Sequence, residues 1–158
     1  MSIRRILEFL AEKGACVVGK AVYLAAKGTA RVLNVTRRRR QLHRHTRDLM
    51  QPCFPDLDLD RVRVVPGAIL PSSWFSANVD AITFGYTIYL KAGSVRHTAK
   101  GKELLLHELV HVDQVRRRGD DELAFACDYA RGFLEAGGYL RNPLEVEACD
   151  FVARRPLP

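Results

Sequence analysis

The sequence predicts an α+β domain with a basic, helical N-terminal arm, and three features predict it. The first is AITFGYTIYL (residues 81–90), where apolar residues recur with the two-residue period of a strand. The second is a row of three helix-periodic segments behind it, over 99–118, 120–136 and 143–153, the first and third with a polar cap in front. The third is charge. Residues 1–47 hold 12 of the 25 Lys and Arg residues against two acids, Glu8 and Glu12, while the rest of the chain holds 13 bases and 16 acids. With 158 residues, 47% of them hydrophobic, the chain suits one domain with its own core and excludes wholesale disorder.

From the N-terminus, Val17, Val18, Ala21, Leu24, Ala25 and Val32 continue a helical spacing that begins at Ile3. Gly14, Gly19 and Gly28 weaken it, so one or two amphipathic helices are expected, with a break near Gly14. TRRRRQLHRHTR (36–47) follows, a basic run without an aromatic to stack on a base. It reads as a solvated linker or as a contact for an anionic partner: a membrane surface, an acidic protein or nucleic acid. The Pro- and Asp-rich QPCFPDLDLD (51–60) divides an arm, 1–50, from a domain, 51–158.

RVRVV (61–65) is expected as a short strand, and 81–90 as a longer one with Ile82, Phe84, Tyr86, Ile88 and Leu90 on one face. Together they predict a small antiparallel sheet. Thr98 caps a helix that runs to about Arg118, with Gly119 as its stop. Residues 120–136 form the next helix. Asn142 caps the last one, and Pro143 takes its first position.

Four cysteines (Cys16, Cys53, Cys127, Cys149) without a CxxC pair read as reduced thiols. No apolar run approaches the roughly 20 residues of a spanning helix, and charges interrupt any leader-like stretch. The expected location is the cytoplasm of the producing cell, with any export by a non-classical route.

The chemistry lies in ELLLHELVHVDQ (103–114). His107 and His111, four apart on a helix, share a face and can aim their ring nitrogens at one zinc ion. Glu108 lies one step round, placed to act as general base on a water at that metal. Catalytic zinc usually takes a third protein ligand, and downstream NPLEVEACDF offers Glu145 and Glu147. About 200° separates these two on a helix, so one at most reaches the metal, and spacing alone does not choose. Glu145 also suits a capping box with Asn142.

HELVH followed by NPLEVEACDFVA resembles the small gluzincin-type zinc metallopeptidases, whose second helix reads Glu-x-x-Ala and often adds a Phe. Glu145, Ala148 and Phe151 fit that frame, so the resemblance implies Glu145 as third ligand. Upstream, DRVRVVPGA, ANVDAITFGYTIYLKAG and the HELVH helix are similar to the extracellular contractile injection system core domain, a zincin-like module. The resemblance implies a zincin-like (minimal gluzincin) core. It also implies a zinc-dependent metallopeptidase in which Glu108 activates water to hydrolyse a peptide or protein substrate. The alternative it implies is a zincin-fold binding or loading module, or an effector, of an injection-type apparatus, with proteolysis vestigial and an apparatus protein as partner. A DNA-associated protease is a third reading. Where gluzincins carry an Asp behind a zinc histidine this chain has Cys149, read as a buried thiol or a further ligand, so either Asp113 or another acid substitutes or the site is weaker. Tyr139, in the turn before the last helix, is the candidate donor to the developing oxyanion.

Overall fold

A computed structural model describes residues 3–71, 79–94 and 98–155, with side chains from residue 13 onward. It is an α+β arrangement. In chain order the elements are α1 (Ile3–Leu33), β1 (Arg40–Gln41), α2 (Arg44–Met50), β2 (Arg63–Ala68), β3 (Ala81–Phe84), β4 (Thr87–Lys91), α3 (Ala99–Arg116), α4 (Glu122–Glu135) and α5 (Pro143–Ala153). Single turns of 3-10 helix lie at Gln51–Cys53 and Tyr139–Arg141.

Among the described residues, four strands form one sheet in the order β1-β2-β4-β3. It is mixed, which corrects the expected antiparallel sheet: β2 runs parallel to β4, while β1–β2 and β3–β4 are antiparallel. The cause is in residues 81–90. They are not one strand but a hairpin, with Phe84 paired to Thr87 across a two-residue loop, Gly85-Tyr86. Gly85 has φ 58°, as required at the first central position of such a loop. With β3 spent on the hairpin, the returning strand β4 meets β2 in the same direction, through a connection long enough for a parallel pair.

The turn also decides which side chains share a face. In an unbroken strand Thr83 and Ile88 would point to opposite sides. In the hairpin they are cross-strand partners and point the same way, toward α3. Ile88, Leu90, Val64 and Val62 pack there against Leu105, Leu106, Leu109 and Val112 of α3 and Ala148 of α5. On the other face Val65, Ala68, Phe84 and Tyr89 meet Ala30 and Tyr23 of α1. The sheet is thus covered on both sides, one layer of helix on each.

α1 runs unbroken through Gly14, because its tertiary contacts outweigh the glycine penalty of about 1 kcal/mol. It lies along α4 so closely that a Cβ on Gly19 would stand 2.4 Å from Ala130 Cβ and 2.8 Å from the Ala126 carbonyl. One turn earlier a disulfide joins Cys16 to Cys127, with Cα atoms 4.2 Å apart. This corrects the expectation of four reduced thiols. The pairing spans 111 residues of sequence and exists only because α1 packs on α4, which no cysteine spacing encodes. Cys53 and Cys149 are free, and Cys149 is exposed where the sequence suggested burial.

Residues 40–50, placed in the arm by the sequence, supply β1 and α2, and Leu42 and Met50 lie in the main core. Among the described residues, no helix is long and apolar enough to cross a membrane.

Candidate metal centre

Two helix starts aim the centre. Thr98 accepts a hydrogen bond from the Gly101 amide and begins α3, whose leucines and valines face the core while His107, Glu108 and His111 look toward α4 and α5. Asn142, fully buried, accepts from the Leu144 amide and donates to the Tyr129 carbonyl, so it caps α5 and ties it to α4. One turn into α5, Glu145 is buried and directed at the two histidines instead of back at its own helix end.

His107, His111 and Glu145 converge, their ligand atoms all within 4.8 Å of one another. His107 Nε2 lies 3.2 Å from His111 Nε2 and 3.2 Å from Glu145 Oε2, and His111 Nε2 lies 3.4 Å from Glu145 Oε1. A tetrahedral zinc with bonds of about 2.0–2.1 Å spaces its ligand atoms about 3.3 Å apart. The three donors therefore fit such an ion in chemistry and in spacing. Glu147, the other carboxylate weighed, points away to Gln114 and Arg117.

Without a metal the charges settle among the three. Burial alone would lower the His111 pKa, but the Glu145 hydrogen bond and the charges of Glu108 and Glu145 push it up to about 9. Burial would raise the Glu145 pKa, yet hydrogen bonds from His107, His111 and Tyr129 hold the carboxyl far below the usual carboxylate range.

Supporting residues complete the site, and sequence reasoning missed three of them. Gln114, fully buried, accepts from His111 Nδ1 at 2.9 Å and donates to the Leu144 carbonyl at 2.9 Å and to Glu147 at 3.1 Å. A proton on Nδ1 leaves His111 Nε2 to face the centre. Gln114 thus fills the place expected for Asp113, which instead pairs with Arg116 and Arg117. Tyr129 of α4 donates to Glu145 Oε1 at 2.7 Å, and burial together with the Glu145 charge raises its pKa. Thr83 of β3 donates to Glu108 Oε2 at 2.6 Å. The pattern carried a signal for Gln114 alone, which lies three residues after His111 on the same helix face.

Glu108 is buried beside His111, and Tyr139 stands half-exposed at the rim, its pKa raised by burial and by the charge of the Glu145 carboxylate. Both border a cavity of about 520 Å³ that runs from the centre between α1, α4 and β3. Cys149 takes no part in the cluster.

A family model described as the eCIS core domain matches residues 41–119, half of the chain. The match takes in the sheet from Gln41 onward and the whole of α3, with His107, Glu108 and His111, and leaves out α1, α4 and α5. No curated protein and no solved structure matches the chain. With its sheet and its histidine helix inside that match, this chain belongs to the eCIS core domain family.

Proposed function

We propose that this protein works with an injection-type apparatus and carries a zinc ion on His107, His111 and Glu145. Membership of the eCIS core domain family carries the first part. The convergence of three donors at tetrahedral spacing carries the second. The apparatus role is that of a binding or loading module, or of an effector. Its test is co-purification of the tagged chain with assembled injection particles from the producing cell. A chain lacking residues 41–119 is the negative control, and equal recovery of both would contradict the role.

A second reading, peptide hydrolysis, is favoured by one observation: Glu108 is held by Thr83 beside the donors, in the same cavity. A purely structural metal site has no use for a carboxylate so placed. Zinc bound here supplies a Lewis acid that polarises a peptide carbonyl and acidifies water. Glu108 takes the proton of the attacking water and returns it to the leaving amine. Thr83 fixes the carboxylate oxygen that does not receive the proton. Tyr139, at the rim, donates to the developing oxyanion. Tyr129 keeps Glu145 in place. Among the described residues β3 ends the sheet, so its outer edge can pair with an extended peptide. The assay is cleavage of a peptide library by zinc-loaded protein, with Glu108→Gln as the control. Activity reduced at least a hundredfold in that variant is expected, and equal activity in both would remove the reading.

A further inference from the structure

The cavity beside the centre is longer than a water-activating site requires, and its far walls come from outside the family match. Val18 and Val22 of α1 form one side, each 61% exposed, and Phe133 and Leu134 of α4 form the other. Glu108 and His111 lie at its inner end. Almost everything between is apolar. The two walls are held in register by the Gly19 contact and by the Cys16–Cys127 bond, so the groove exists before any ligand arrives.

We infer that this groove is the subsite for a bulky apolar side chain (leucine, methionine or phenylalanine in kind) of a polypeptide substrate, with Val18 and Val22 setting the preference. The inference rests on the zinc-peptidase reading and names its substrate class. A cavity of about 520 Å³ is in the range that takes a drug-sized ligand, so one large side chain and its backbone fit within it. A charged side chain there would lose its water with no buried partner but the carboxylates of the centre itself. An apolar one gains from burial, by roughly tenfold to a hundredfold in affinity for a leucine-sized group. α1 is therefore a wall of the site and not a detached arm.

The test uses hydroxamates as metal-binding probes on the zinc-loaded full chain, read by calorimetry. Acetohydroxamate reports the centre alone, and 4-methylpentanohydroxamate adds a leucine-sized tail. The tailed probe is expected to bind at least tenfold tighter. Val18→Asp, and independently Val22→Lys, should cut that advantage to within about twofold while leaving acetohydroxamate affinity unchanged. Both positions are exposed enough for the variants to fold. If acetohydroxamate binds and the tail adds nothing, or the variants keep the tail's full advantage, the subsite is refuted and the centre stands. If acetohydroxamate itself does not bind, the centre fails and the subsite with it.

Discussion

His111 faces the centre with one ring nitrogen because Gln114 holds the other. That glutamine has no exposed surface and its side chain makes three hydrogen bonds, two of them to α5, so it both orients His111 and joins two helices. Gln114→Ala is expected to weaken zinc binding about tenfold to a hundredfold. It should also destabilise the fold by about 1–3 kcal/mol through the partners left unpaired. Chelator competition measures the first and chemical unfolding of the metal-free protein the second. At this scale the histidines were legible because four-residue spacing on a helix puts two rings on one face. Glu145 was singled out only by the resemblance of its frame, since spacing alone could not separate it from Glu147. Thr83 was illegible for a different reason. Its approach to Glu108 depends on the Gly85-Tyr86 turn, which lacks the Asn-Gly or Asp-Gly pair that marks a hairpin most strongly in sequence.

Among the elements, α1 behaves least as its composition suggests. Its glycines look alike in sequence but differ in surroundings. Gly19 meets α4, whereas an added Cβ at Gly28 has nothing within 4 Å. Gly19→Ala should therefore force α1 away from α4 and cost about 1–3 kcal/mol, the usual cost of overpacking. Gly28→Ala should stabilise by about 0.5–1 kcal/mol through helix propensity alone. Thermal unfolding of the two variants with the disulfide intact checks both signs, and equal shifts would contradict the close α1–α4 contact. The break expected near Gly14 came from weighing propensity without the packing that overrides it. The caps on α3 and α5, by contrast, were readable residue by residue, because Thr98 and Asn142 act on amides two or three positions away.

Over the whole molecule, the buried histidine–carboxylate cluster makes stability depend on pH. His111 is raised from 6.5 to about 9, so in the metal-free protein it contributes stability that is full below 6.5 and fades as pH climbs through 9. Glu145 is lowered from 4.5, so its contribution is present above 4.5 and is lost as pH falls further. Metal-free protein should accordingly be most stable between about pH 4.5 and 6.5 and lose melting temperature from there to pH 9. Zinc should reverse the alkaline loss, because bound ligands need no proton. A melting series with and without zinc reads this directly, and a metal-free curve flat from pH 6 to 9 would contradict it. Fold class was legible at this scale from the three helical segments and the strand pattern. The mixed sheet, the disulfide and the place of residues 40–50 in the core were not, since each rests on contacts between segments far apart in sequence.

Zinc per chain, measured after zinc is offered and excess removed by desalting, decides whether His107, His111 and Glu145 hold one metal ion together. The expectation is about one zinc in the wild type and a marked loss in Glu145→Ala, with a much smaller effect in Glu147→Ala, since Glu147 pairs with Gln114 and Arg117. No zinc in the wild type, or full zinc in Glu145→Ala, would contradict it.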